Sequence, residues 1–298
     1  MAIPDLQLET WSHVGSVAQS AKTYDMIKKV LNDSTSPYYP KDFSIFLQGS
    51  YGNGTNVYRD SDVDVVIQLN QTYYSDTNLL KPDAKTRHDN AFSLATYQYA
   101  DFKTDVLGWL QKQFGADVKP GKKAIFIKGS GNRRDADVLV CAQHRRYRAE
   151  STGADARYDE GIVFWGSDGI EIVNFPKQHS ENCTRKHQNT NQRFKGMVRV
   201  YKNMRNRMID DKYIANGVAP SYFIEGMLWN VPEDKFVQSN EDSFVNTFNW
   251  MLRADKTKLA CANDLYWLLR DNSNVCWSPA NFDAYLATVQ EYWNEWGT

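Results

Sequence analysis

Apolar positions in this 298-residue chain follow strand-like and helical spacings in its first part and helical spacing alone towards its end. Trp11, Val14, Ala18, Ala21, Ile27 and Leu31 fall at three- to four-residue steps with one wider gap. That spacing predicts one long amphipathic helix, ending before the turn-rich stretch Asn32 to Pro40. Two apolar runs joined by a Gly-Ser turn then read as strands, the second ending at Leu69. Asn70 to His88 is polar and reads as a surface loop. Asp89 to Phe114 returns to helical spacing, with Phe92, Ala95, Tyr99, Phe102, Val106, Leu107 and Leu110 on one broad side. Lys123 to Lys128, Ala136 to Gln143, Gly161 to Trp165 and Ile170 to Val173 are short strand-like runs. From Thr184 onward every run is helical in pattern: Gln192 to Met208, Ser221 to Trp229, Ser243 to Leu252, Leu259 to Leu269 and Asn281 to Trp296. This order predicts an α+β fold of two lobes, a mixed sheet with helices over residues 1–180 and a helical lobe over 181–298. A ligand cleft is expected between them.

The chemistry concentrates in the run from Phe46 to Ile67. Gly49-Ser50 is followed, eleven residues later, by Asp62-Val63-Asp64. Side chains alternate faces along a strand, so Asp62 and Asp64 project together while Val63 and Val65 point the other way. Two carboxylates on one face repel unless a cation sits between them, and hard oxygen ligands suit Mg²⁺. Gly49 allows close backbone approach to a ligand, and Ser50 adds a hydroxyl near the start of a short helix. Gly129-Ser130 and Asp135-Ala136-Asp137 mimic the pattern with only four intervening residues, too few for the same turn.

The complete arrangement of strand, Gly-Ser, connection and Asp-x-Asp resembles the signature of the DNA polymerase β-like nucleotidyltransferases. That superfamily takes a third carboxylate from a neighbouring strand. Asp137, directly before Val138-Leu139-Val140, is favoured for it; Asp135 is not excluded by spacing, and Asp60 raises the same question before the first pair.

Between Asn182 and Ile209 lie eight Lys or Arg residues and no acid: Arg185, Lys186, Arg193, Lys195, Arg199, Lys202, Arg205 and Arg207. Most are expected to form a solvated helix face. Lys195, Arg199 and Lys202 share one face, and Lys202 is the best candidate for binding outer phosphates. Pro220-Ser221 before an apolar run is a helix-start signal, so the Ser221 hydroxyl either caps that helix or meets phosphate. Gln48 and Asn174 are candidates for base or ribose contacts. Tyr222 is a candidate for base stacking, with a core position as the equal alternative.

Asp137 to Tyr147, Ile172 to His179, Lys195 to Asn203 and Ser221-Tyr222 follow the first motifs in order. Together they look like the bacterial cGAS/DncV-like nucleotidyltransferases, relatives of animal cyclic GMP-AMP synthase and oligoadenylate synthase. The resemblance is good over roughly residues 43–230. It implies a bilobed polymerase β-like fold and Mg-dependent synthesis of a cyclic di- or trinucleotide from ATP and other NTPs, with release of pyrophosphate. It further implies two Mg²⁺ ions, Mn²⁺ substituting, on Asp62, Asp64 and Asp137. Ser50, Lys202 and Ser221 then hold the triphosphate, and the product goes to a separate effector protein in anti-phage signalling. Transfer to an RNA or protein acceptor would use the same motifs.

Composition trims these readings. With 35 basic and 36 acidic residues, no global field draws the chain to nucleic acid, and no nucleic-acid activator is expected. No zinc insertion like that of the animal enzyme is visible. His179, Cys183 and His187 are evenly spaced but lie in a polar stretch read as loop, which disfavours zinc there. The four scattered cysteines, no membrane-length apolar run and no signal pattern point to a cytoplasmic protein.

Overall fold

The structure, a computed structural model, describes residues 2–15, 18–58, 62–91, 93–151 and 157–297; Asp60 and Phe92 lie outside them. In chain order its elements are α1 (Asp5–Ser12), α2 (Ala18–Leu31), β1 (Phe43–Leu47), α3 (Gly49–Gly52), β2 (Val63–Asp76), α4 (Pro82–Ala91), α5 (Tyr99–Phe114), β3 (Val118–Pro120), β4 (Ile125–Ile127), β5 (Ala136–Tyr147), β6 (Tyr158–Trp165), β7 (Glu171–Asn174), α6 (Pro176–Asn189), α7 (Phe194–Asp210), α8 (Ser221–Trp229), α9 (Asn240–Arg253) and α10 (Pro279–Glu295). They belong to two compact units that interleave along the chain. One comprises Ala18–Gln48 and Asp62–Lys177, the other Met1–Val17, Gly49–Ser61 and Gln178–Thr298.

The first unit is built on a mixed sheet of order β1-β2-β5-β4-β3, with β6 on β5 and β7 on β6. β2 and β5 run parallel and the remaining pairs antiparallel. Opposite β2, β5 carries β4 along Ala136–Val138 and β6 along Ala142–Tyr147. From Val63 to Leu69 every β2 residue is buried except Asp64, as a central strand covered on both faces requires. Helices α2 and α5 pack on this sheet, placing Ile27, Leu31, Phe102, Val106 and Leu110 in one core with Val65, Ile67, Val138 and Val140. The polar stretch expected as loop is instead structured. β2 continues to Asp76 past an irregularity between Leu69 and Tyr73, its end pairing with Gln143–Arg146, and α4 follows. Strand β3, three residues long, is too short to leave a periodic signal.

The second unit is helical and centred on α7, which packs against α1, α8, α9 and α10. Phe194, Met197, Val198, Val200, Tyr201, Met204 and Met208 are all buried, so α7 is apolar on more than one face, as an inner helix must be. Tyr201 stacks on Phe244 with ring centroids 4.8 Å apart.

Three further expectations need correction. The long N-terminal helix is two: α1 ends at Ser12 and α2 starts at Ala18. At Gly15, N–H donates to Asn56 O, and a Cβ would lie 2.8 Å from the Val57 carbonyl carbon, so the chain stays open and side-chain-free there. Leu259 to Leu269 is not helical; Ala260 bridges Trp267 and Leu269 bridges Trp277, while the Asn230 side chain bonds both the N–H and the C=O of Ala260. The polar stretch around His179 and His187, read as loop, is helix α6. Among the described residues no helix is long and apolar enough to cross a membrane.

Candidate active site

Asp64 and Asp137 are direct register partners on the parallel strands β2 and β5. Such partners project to the same face of a sheet. Asp62 stands one residue ahead of β2. Burial, then the charges of Asp62 and Asp135, push the Asp137 carboxyl above its usual range. Asp135 plays a different part. It is exposed, and its Oδ1 accepts the Gly129 N–H at 2.6 Å, closing the turn. The same turn carries the sequence mimic, tied shut by reciprocal bonds between Ser130 and Arg133. The structure thus pairs Asp137, not Asp135, with Asp64. Asp137 feels the charges of Asp62 and Asp135, and Asp62, Asp64 and Asp137 offer only oxygen donors, the chemistry that suits a hard divalent cation such as Mg²⁺. Gln48 donates its N–H to Asp64 O at 3.0 Å, and its side-chain oxygen is buried without a hydrogen-bond partner. Asn174 closes β7 opposite Ile162, partly buried.

In the helical unit, Gly49 opens the turn with φ 67°, a left-handed conformation that favours glycine. Asn53 N–H bonds Gly49 O at 3.1 Å and Thr55 N–H bonds Ser50 O at 2.9 Å, closing residues 49–55 on themselves. Lys202 has no exposed surface; its Nζ donates to Ser50 Oγ at 2.6 Å and to Thr55 O at 2.9 Å. One helical turn earlier, Arg199 donates to Gly54 O at 2.6 Å and to Ser12 O at 2.5 Å, and burial pulls its guanidinium down to about 10. The helix face read from sequence as Lys195, Arg199 and Lys202 therefore includes two cations bound to the Gly-Ser turn. The expectation of a solvated basic face fails for several members. Lys186 is buried and donates to Val231 O at 2.5 Å, and Arg205 is buried against Ala219 O and Asn206 Oδ1. Ser221 does not cap α8, whose N-cap is Pro220; its hydroxyl accepts from Arg205 Nη1 at 3.1 Å. Tyr222 stacks on His179 at 4.7 Å and its hydroxyl accepts from Asn263 Nδ2 at 3.0 Å.

Sequence reasoning missed Glu225. It is a buried carboxylate on α8 between buried Ile224 and buried Gly226, Met227 and Leu228. Glu225 accepts from Asn53 Nδ2 at 2.9 Å, from the Thr55 hydroxyl, and from His179 Nε2 at 2.6 Å. Burial alone would raise its pKa; the His179 bond and charge, the Lys202 charge and the Thr55 bond together outweigh that and lower it. An acid inside an otherwise apolar helical run was the available signal, since such an acid must be paired.

His179, Cys183 and Glu225 bring one potential ligand atom each to within 4.8 Å of one another, all buried. His187 is turned elsewhere and accepts the Lys195 N–H at 3.3 Å. Two ligands of a tetrahedral zinc, each about 2.0–2.1 Å from it, stand roughly 3.3 Å apart. The 2.6 Å His179–Glu225 contact is shorter and has the geometry of a hydrogen bond.

The family model of the cGAS/DncV-like nucleotidyltransferase C-terminal helical domain matches residues 181–294. Over 302 residues the chain is 36% identical to the cyclic UMP-AMP synthase of Rhodothermus marinus (strain SG0.5JP17-172), with 100% of each covered. It is 34% identical to the cyclic nucleotide synthase CdnE01 of Staphylococcus haemolyticus, covering 99% of this chain and 100% of that one. Among solved structures, the Rhodothermus marinus CdnE c-UMP-AMP synthase with Apcpp and Upnpp superposes with TM-score 0.89 at 35% identity, covering 99% of this chain and 98% of that one. The Elizabethkingia meningoseptica CdnE cyclic dinucleotide synthase with GTP and Apcpp gives TM-score 0.77 at 30% identity, covering 99% and 100%. Fold and similarity make this chain a nucleotidyltransferase. It belongs to the cGAS/DncV-like family of these enzymes.

Proposed function

We propose that the enzyme condenses nucleoside triphosphates, ATP among them, into a cyclic di- or trinucleotide second messenger and releases pyrophosphate. The observation that carries the reading is the direct register of Asp64 with Asp137 on parallel strands, with Asp62 two residues ahead of Asp64. In this reading Asp62, Asp64 and Asp137 would hold two Mg²⁺ ions, Mn²⁺ substituting. When bound, the ions lower the pKa of an acceptor 3′- or 2′-hydroxyl and neutralise triphosphate charge. The chain's own residues position the reactants. Ser50 and Lys202, hydrogen-bonded to one another at 2.6 Å, receive the triphosphate with Ser221. Gln48, whose buried carbonyl oxygen lacks a partner, takes a polar edge of the nucleotide with Asn174. Tyr222 lends an aromatic surface.

One relative named above is a cyclic UMP-AMP synthase and another was solved with GTP and Apcpp, so the base set is what mass spectrometry of the product reads. We place the reaction in the cytoplasm, in keeping with four cysteines that all remain free thiols. The resemblance extends the reading to anti-phage signalling through a separate effector protein that receives the product.

The test is incubation of the full chain with Mg²⁺ and four labelled NTPs, followed by phosphatase. A phosphatase-resistant small product is expected, lost at least about 10³-fold in Asp64→Asn and Asp137→Asn and retained in Asp135→Asn. Label transferred to RNA or protein, or undiminished product from Asp137→Asn, would overturn the assignment.

A further inference from the structure

We propose that Glu225, oriented by His179, is a positioning residue that holds the Gly49–Thr55 turn, and through it Lys202, in the geometry that grips a triphosphate. The inference rests on the reading of Ser50 and Lys202 as triphosphate contacts.

The hydrogen bonds that Glu225 accepts point mainly to the turn. Asn53 Nδ2 and the Thr55 hydroxyl, two of its donors, belong to it, and a third donor is His179 Nε2. The carboxylate thus ties the far end of the turn to α8, while backbone bonds Asn53 to Gly49 and Thr55 to Ser50 close the near end. Thr55 links the two halves of the device: its hydroxyl reaches Glu225 and its carbonyl receives Lys202 Nζ, which also bonds Ser50 Oγ. A shift of Thr55 therefore displaces Lys202 and Ser50 together. The charge of buried Lys202 is among the causes that keep Glu225 ionised.

His179 supplies direction. An ionised carboxylate only accepts, so Nε2 carries the proton. The ring is clamped by the stack on Tyr222, and Nδ1 is buried without a partner. Among the described residues, the hydrogen bond that fixes this imidazole is the one to Glu225. Cys183 is close by, its thiol pushed well above its usual range by burial and the Glu225 charge.

The experiment compares full-length native protein with Glu225→Gln, Thr55→Val, His179→Leu and His179→Gln. Thr55→Val keeps the backbone carbonyl and removes only the hydroxyl that meets Glu225. For Glu225→Gln, Thr55→Val and His179→Leu, KM for ATP should rise about tenfold with kcat within about threefold of native, the pattern of lost uniform binding. Calorimetry with a non-hydrolysable ATP analogue and Mg²⁺ should show the same weakening. His179→Gln, which keeps a donor near the Nε2 position, should restore most of the lost affinity. Unchanged KM and analogue affinity in folded Glu225→Gln and Thr55→Val, with only a lower melting temperature, would overturn the proposal. So would stoichiometric zinc in the native protein that disappears in His179→Leu. If Glu225→Gln does not fold, Thr55→Val carries the test. Native protein that binds no analogue and makes no product would instead sink the functional reading, and this inference with it.

Discussion

Among the described residues, enclosed charge is kept where polar partners are built in beside it, and imidazole drawn out of water is kept neutral. Lys202 and Glu225 illustrate the first case, each fully enclosed and each holding several hydrogen bonds. His144 and His187 illustrate the second. Burial brings both down from 6.5 to about 4; for His144 Asp76 opposes this and Arg146 adds to it, and for His187 Lys195 and Arg199 add to it. Both ring nitrogens of His144 are buried without partners. In the unfolded chain these histidines titrate near 6.5. Between pH 6.5 and about 4 the unfolded state therefore binds more protons than the folded one, and stability falls as pH falls through that window. Denaturant midpoints measured across the window should decline, and His144→Phe should make the decline shallower. A variant slope equal to the native one would rule His144 out as a contributor. At this scale the register of Asp137 beside Asp64 was legible, and Ser50 and Lys202 were each legible as chemistry-bearing positions though not as partners of one another. Glu225 and His179 were not, because an acid in an apolar run says that a partner exists without saying which.

Elements were legible where their own sequence carried the reason for their form. α8 runs from Ser221 to Trp229 as its Pro220 start and apolar run predict. α6 did not declare itself. Its residues are almost all polar, and what makes it a helix is tertiary: His179, Cys183 and Lys186 are buried at three- to four-residue steps. Leu259 to Leu269 misled in the opposite way, since Leu259, Cys261, Leu268 and Leu269 are buried on a backbone held by side-chain bonds from Asn230 and Asn263 rather than by helical packing. The break between α1 and α2 has a cause that lies more than forty residues away, in the backbone of Val57 and Tyr58 against Gly15. A methyl group at Gly15 would sit 2.8 Å from that backbone, with no flexible side chain to yield. Gly15→Ala should therefore destabilise the chain by about 1–3 kcal/mol, the usual cost of overpacking. Urea unfolding checks this, and an unchanged midpoint would show that the backbone at Val57 gives way freely.

For the molecule as a whole, the question is what turns it on. A net charge of −1 offers no general attraction for nucleic acid, which leaves the basic stretch from Arg185 to Arg207 as the place where an activating duplex could bind. Much of that stretch is turned inward. Lys186, Lys202 and Arg205 are buried and spend their donors on Val231, Ser50, Thr55 and Ala219, and Arg199 is bound to Gly54 and Ser12. Of the eight, Arg185 and Arg207 are exposed, and Arg207 lies 3.9 Å from Asp211. Lys186 and Arg205, committed to Val231 and Ala219, and Arg199, committed to Gly54 and Ser12, would have to give up these internal carbonyls to meet the phosphate backbone of a duplex. Product formation with Mg²⁺ and NTPs alone is therefore expected, with less than about twofold change on adding double-stranded DNA or RNA at low salt, where phosphate contacts are strongest. Arg185→Ala with Arg207→Ala should leave the rate unchanged in either condition. An absolute requirement for duplex, lost in that double variant and weakened steeply by salt, would move the basic stretch from turn support to activator surface.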